Sequence, residues 1–430
     1  MKKLLSNNIF KNISASSLRT AIFTIQQILY VSLFIKFLKI DLYAEWILVS
    51  SIPILLMQAE IGISSYTSNL VTIAYNQNRK FEINKILINS IFFITLIIFF
   101  VILIFLISNF FFNFRNIFSL TKISVFEFKF IIILLTLRLL CYNIWNLFLS
   151  ILKAIHKNHY LSNFQTASLI TEILLVIIIL FFKSSLIYLA MSMLINQIIF
   201  LLISYFYIKK FYNLNLFSFE KISKKFFYKI LYPSISFMSL NLSKVSIIQG
   251  TILFLSIYSS STILVFYNSL RVFFNGIRQI ISILSMSYYP EFTIYYSKKK
   301  NDQIKKKFVF LLKLNTLISF IAVIVSFYLT EIIFSIWIKN EFIWNSIFFI
   351  LFLLASLIDW INVPILSLPY SINKHVSLNL LYICTVFLYF ILLIILNNFF
   401  EFASVPLSLF FSNVILLIFS YKYVKEIIHR

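Results

Sequence analysis

The chain has 430 residues, of which 61% are hydrophobic and only 12% charged, and its mean hydropathy is +0.96. A soluble domain of this length needs far more polar surface, so the composition excludes a water-soluble globular protein. The formal net charge of +23 would suit nucleic acid, but the basic residues fall in alternate loops between apolar runs and leave no soluble domain to bind it.

A spanning helix takes about 20 apolar residues. Twelve runs of that kind follow one another, at 13–37, 44–73, 86–109, 128–152, 160–182, 186–208, 230–256, 261–290, 308–333, 344–369, 376–396 and 403–423. They are too long and too uniformly apolar for barrel strands, so an all-α membrane protein is expected. Met1-Lys2-Lys3 opens like a leader, but Asn7, Asn8, Lys11 and Asn12 interrupt any apolar core and no small-x-small site follows. The first run is therefore read as a retained span. Lysine and arginine crowd alternate loops, among them Arg79, Lys80, Lys153, Lys157, Lys209, Lys210, Lys298 to Lys300 and Lys374. This positive-inside bias assigns those loops and both termini to the cytoplasm.

The loop at 209–229 lies at the midpoint of the chain and interleaves lysines with Phe211, Tyr212, Phe217, Phe219, Phe226, Phe227 and Tyr228. Such a segment suits an amphipathic helix lying on inner-leaflet lipids. It separates a six-helix bundle at 1–208 from a second at 230–430. Six plus six spans of like topology suggest a parallel internal repeat. Pro364 and Pro369 fall in the tenth run beside Asp359, where the helix is either interrupted or merely kinked. Gly62, Gly250 and Gly276 are the only glycines, so no phosphate-cradling loop and no ATP site is possible.

Charged residues inside apolar runs carry the functional signal. Arg271 and Arg278 stand two helical turns apart and share a face with Asn268, Asn275 and Ser282. An arginine at the bilayer centre costs at least about 2.5–3.5 kcal/mol on insertion scales. Lys244, Arg19 and Arg138 are further cations within or near the spans, against the acids Glu60, Glu172 and Asp359. One reading is that the arginines pair with these acids and staple helices. The other starts from the count, five cations against three acids, which leaves a surplus that an anionic ligand would satisfy. Arginine's planar fork suits phosphate oxygens.

Lys244, with Asn241 and Gln249 nearby, is expected to line a polar path. Arg19 either snorkels to headgroups or continues that path along Phe23 and Gln26. Glu172, with Gln165 and Ser168 on its face, is a partner for Arg138 or a proton or cation site. Asp359 is an ion-coupling or gating candidate, as is Glu60 if it is more than a solvated helix end.

No catalytic set, metal site or cofactor is expected. His156 and His159 have metal-like spacing but no acid or cysteine beside them, and His375 and His429 also fall outside the spans. Cys141 and Cys384 fall inside spans and read as small buried residues rather than a disulfide. No outward loop is long enough to fold into an enzyme domain.

This pattern resembles Wzx-type flippases, from the polysaccharide branch of the multidrug/oligosaccharidyl-lipid/polysaccharide superfamily. The resemblance covers essentially the full length. Asp41-Leu42-Tyr43-Ala44-Glu45-Trp46 resembles the family's Tyr-Gly-x-Trp entry to the second span, with Ala44 in the glycine position. Ala59-Glu60-Ile61-Gly62-Ile63 resembles its Asp-Leu-Gly-Leu segment, and Ile336-Trp337-Ile338 its Leu-Trp segment. Ile151-Leu152-Lys153-Ala154 stands where the family often has a glycine-containing turn, and the glycine is missing here.

The resemblance implies a MATE-like, V-shaped transporter in the bacterial inner membrane. It would move an undecaprenyl-pyrophosphate-linked oligosaccharide, an O-antigen or capsule repeat unit, from the cytoplasmic to the periplasmic leaflet. A polymerase and chain-length proteins of the same pathway are implied partners. The competing readings are a MATE-like multidrug or cation antiporter, which calls for an acidic path, and a membrane polysaccharide polymerase, which calls for a large outward catalytic loop.

Overall fold

The structure is a computed structural model. It describes residues 2–56, 58–77, 79–111, 117–118, 120–155, 157–182, 185–212, 223–298, 300–338, 344–372, 374 and 376–429, with side chains withheld at some of these positions. Among the described residues there are helices, a short 3-10 turn and no strand. In chain order the helices are α1 (Lys2–Leu56), α2 (Gln58–Asn76), α3 (Lys80–Phe111), α4 (Val125–Ala154), α5 (Asn158–Phe181), α6 (Leu186–Tyr212), α7 (Lys224–Tyr258) and α8 (Ser261–Ser287). They continue as α9 (Tyr289–Ser297), α10 (Asn301–Ile338), α11 (Ser346–Ser371), α12 (Val376–Phe400) and α13 (Ser404–His429).

Seven helical stretches among the described residues are long and apolar enough to cross a membrane, and two of them, Ser14–Leu55 and Val376–Ile428, each cover two of the expected runs. The cation-bearing α4, α7 and α8 cover the expected runs at 128–152, 230–256 and 261–290. The fold is an all-α membrane protein.

The first two spans are not joined by a loop. Within α1 the only break is Lys39, at φ 63 and ψ 169, a region that disfavours any residue with a Cβ. The break is clamped from both sides. Phe34 packs against Tyr43 at 5.5 Å and Trp46 at 6.0 Å between ring centroids. The buried Glu45 carboxylate accepts backbone N–H groups from Thr121 (2.7 Å), Lys122 (2.8 Å) and Ile123 (2.7 Å). These precede α4, whose N-terminus is closed by a Ser124–Glu127 capping box. The Tyr-x-x-Trp segment thus fixes the entry to the second and fourth spans together.

The chain forms two compact units, Met1–Val245 and Ser246–Arg430. The division falls inside α7, later than the expected start of the second bundle at 230. Residues 213–222 of the expected surface helix lie outside the described residues, as do His156 and His375. In the first unit α4 packs on α2, α3 and α6, and α1 packs on α5. In the second unit α11 takes the same part, packing on α8, α10 and α13.

The loops repeat as well. The N–H groups of Arg79, Lys157, Lys300 and Lys374 donate to the carbonyls of Ala74, Leu152, Tyr295 and Pro369, each five residues back and each at 2.9 Å. This is the outer bond of a helix-ending Schellman turn. It closes the loops after the second and fourth spans of either half, each time onto a basic residue. The same bond thus recurs at corresponding places in the two halves.

Of the two readings of the tenth span, interruption is not what is found: α11 runs as one helix through Pro364 and Pro369. Both prolines are buried. One expectation needs correction. The cysteines are not core residues: Cys141 is half-buried and Cys384 exposed. Of the scarce glycines, Gly250 has a packing reason, since a Cβ there would meet the Phe390 ring, with Cε1 at 2.9 Å.

Candidate functional site

In the first unit, α1 and α5 lie side by side in a fixed register. Ser16 pairs with Ser162 and Gln26 with Glu172, both 146 residues apart. The same offset sets Arg19 level with Gln165. Glu172 is 7% exposed in its side chain and meets Arg138 of α4, whose Nη2 lies 2.7 Å from Oε2 and 2.9 Å from Oε1. Gln26 Nε2 donates to Glu172 Oε1 at 3.2 Å and to the Tyr30 hydroxyl at 2.9 Å. Arg138 Nη1 also approaches the Met193 sulfur of α6 at 3.8 Å. Of the two readings of Glu172, the structure shows the pairing contact. The carboxylate is buried and joins three helices.

In the second unit the amphipathic α8 buries Tyr267, Leu270, Phe274 and Ile281. Phe274 stacks on Phe352 at 5.7 Å and meets Trp360 edge-on at 5.8 Å, which seats α8 on α11. That packing brings Arg278 Nε to 2.7 Å from Asp359 Oδ2. Both side chains remain accessible, at 33% and 30%. Only Nε is engaged, and among the described residues no acceptor faces either Nη group at hydrogen-bond distance.

Two turns earlier on the same stripe, Arg271 Nη2 donates to Asn268 Oδ1 at 2.7 Å. Asn275 and Ser282 continue the stripe, half-buried.

Lys244 is half-buried near the end of the first unit. Arg19 is half-buried on α1. The Glu60 side chain lies outside the described residues. Pairing therefore takes up Arg138 and Arg278 together with Glu172 and Asp359.

Sequence reasoning did not assign the roles of four residues that matter here. Gln26 and Tyr30 orient Glu172, Asn268 orients Arg271, and Glu45 anchors the loop before α4. The signal for Glu45 was present, since a capping box at Ser124 and Glu127 marks a helix start whose preceding amides need an acceptor. The partners of Glu172 lie 142 and 146 residues away in sequence, and no local pattern marks them.

No family model matches the chain, and no curated protein matches it in sequence. Its fold is similar to that of the lipid II flippase MurJ in an inward closed conformation, with a TM-score of 0.76 at 16% identity over 95% of this chain and 87% of that one. It is also similar to the MATE transporter VcmN of Vibrio cholerae in the bent form, with a TM-score of 0.68 at 12% identity over 99% and 98%. A third likeness is to a MOP superfamily transporter from Pyrococcus furiosus, with a TM-score of 0.63 at 10% identity over 98% and 95%. These likenesses show the fold, which is shared with a lipid II flippase, a MATE transporter and a MOP superfamily transporter.

Proposed function

We propose that the chain is a flippase for a lipid-linked anionic oligosaccharide, working by alternating access between a first bundle at 1–208 and a second at 230–430, with 209–229 as a linker on the membrane surface. The observation that carries this reading is the polar stripe of α8. Arg278 is held by Nε while its Nη edge stays accessible, and Arg271 is oriented by an amide two turns away. A pair a third exposed is worth only about 0–1 kcal/mol, so a phosphate able to grip the open fork can replace or join Asp359. Lys244, Arg19 and Asn275 are further candidates for contact with the cargo, and the excess of cations over acids among the residues singled out in the sequence favours a pyrophosphate or acidic sugar. Asp359, Glu172 and Glu60 are the groups to which ion coupling or gating would fall.

The likeness to MurJ supports a lipid-linked cargo. The Pyrococcus furiosus neighbour, whose reversed pocket polarity suggests a different function for it, is a precedent for changed pocket charge on this fold. The cargo class places the protein in a bacterial inner membrane, termini in the cytoplasm, beside the polymerase and chain-length proteins of O-antigen or capsule assembly. The likeness to VcmN favours a MATE-like cation antiporter as a second reading, and the basic stripe opposes it.

Deleting the gene tests the proposal. Lipid-linked repeat units should accumulate on the cytoplasmic face, and the wild-type chain should clear them while Arg271→Ala and Arg278→Ala fail. Unchanged repeat-unit levels together with a gain in sensitivity to cationic drugs would favour the antiporter.

A further inference from the structure

The interior of the first unit holds polar atoms that the ion pair does not use. Trp145 on α4, Thr166 on α5 and Gln197 on α6 are 2%, 7% and 3% exposed. The Trp145 Nε1, Thr166 Oγ1 and Gln197 Nε2 atoms, together with Gln165 Oε1, are buried without a hydrogen-bond partner among the described residues. A buried polar atom left dry costs about 1–3 kcal/mol, and four in one bundle would be an unusual burden.

Helix geometry gathers three of them, and Thr166, next to Gln165, lies at the same level on the stripe of α5 that Ser162 turns to α1. Trp145 lies seven residues after Arg138 on α4, and Gln165 seven before Glu172 on the antiparallel α5. Both therefore sit two turns below the ion pair, toward the end that carries the Lys153–Lys157 loop. Gln165 Nε2 donates to Asn146 at 3.3 Å, which confirms the level. On α6, Met193 meets Arg138 and Phe200 meets Trp145 at 6.2 Å. Gln197 lies between these two contacts on the same buried face.

The set offers two donors, the Trp145 indole and the Gln197 amide, and two acceptors, the Gln165 carbonyl and the Thr166 hydroxyl. Buried water characteristically satisfies such a mixed set with two to four bonds per molecule.

We propose that these four groups hold a file of ordered water inside the first unit, running from the level of Arg19 and Gln165 up to the Arg138–Glu172 pair. The file hydrates the pair from below. It is separate from the α8 stripe and does not depend on what the protein carries. The next stripe of α4 is dry: Phe148, 5% exposed and one turn on from Trp145, packs in an apolar cluster with Leu147, Ile151 and Ile94.

Radiolytic hydroxyl-radical labelling tests this, because radicals formed from bound water mark the side chains beside it. The full chain in lipid nanodiscs should be labelled at Trp145 and Met193 severalfold faster than at Phe148, although all three are buried. Gln197→Met, of nearly equal volume, and Thr166→Val each remove one partner of the water and should lower labelling at Trp145 severalfold. Equal rates at Trp145 and Phe148 would overturn the proposal. So would fast labelling at Trp145 that neither substitution reduces, since the water would then arrive by opening of the bundle.

Discussion

Arg138 and Asp359 occupy the same place in their helices. Each is the fourteenth residue beyond a side-chain N-cap, Ser124 for α4 (138 − 124) and Asn345 for α11 (359 − 345). Each is bound to an opposite charge at 2.7 Å. The fourth span of either half thus carries a charge at one depth, with its sign reversed between the halves. The partner differs too, Glu172 of the fifth span in one half and Arg278 of the second span in the other.

The two pairs differ in burial, and burial sets their cost. Removing one partner of a buried pair typically costs about 3–5 kcal/mol, because the other charge is stranded. Arg138→Gln should therefore lower the thermal unfolding midpoint in detergent markedly. Asp359→Asn breaks a pair exposed by a third on both sides, worth about 0–1 kcal/mol, and should shift the midpoint little. Comparable losses in the two variants would contradict the assignment of one pair to structure and the other to cargo.

Glu45 should matter more than its place beside a helix kink suggests. Hydrogen bonds to a charged group contribute about 1.5–3 kcal/mol each, and this carboxylate takes three backbone N–H groups. Glu45→Ala is expected to destabilise the protein by at least about 3 kcal/mol and to speed amide exchange at Thr121, Lys122 and Ile123. Glu45→Gln, which keeps one acceptor oxygen, should lie between. Unchanged exchange at those amides in the alanine variant would count against the anchor.

Lys39 carries the backbone strain of the first two spans. Its conformation costs about 1–3 kcal/mol for a residue with a Cβ. Lys39→Gly should relieve that strain and raise the unfolding midpoint. A lower midpoint would mean that the Lys39 side chain contributes more than its backbone costs.

The spans themselves were legible in the sequence, because an uninterrupted apolar run has one reading in a membrane. The break at Lys39 was not: residues 38–43 fell between two runs, yet the Phe34, Tyr43 and Trp46 rings and the Glu45 anchor hold the segment helical. Pro364 and Pro369 left interruption and kink open, and α11 runs through both. Arg271, Arg278, Arg138 and the three acids stood out as charges in apolar runs. Which acid meets which cation depends on packing between helices up to 81 residues apart, as for Arg278 and Asp359, and no spacing rule contains that. The repeat was visible only as a span count, whereas the four basic Schellman turns recur at corresponding places in the two halves.

The central claim is that the α8 cations move an anionic lipid-linked cargo. Purified protein in liposomes, supplied with a fluorescent polyprenyl-pyrophosphate oligosaccharide, measures it directly through the rate at which label leaves the outer leaflet. The account predicts translocation by the wild-type chain and a loss of tenfold or more in Arg271→Gln/Arg278→Gln, since each charge-assisted bond to phosphate is worth about 1.5–3 kcal/mol. A double variant that moves the cargo at the wild-type rate would contradict it, as would a wild-type chain that moves organic cations and leaves the anionic lipid in place.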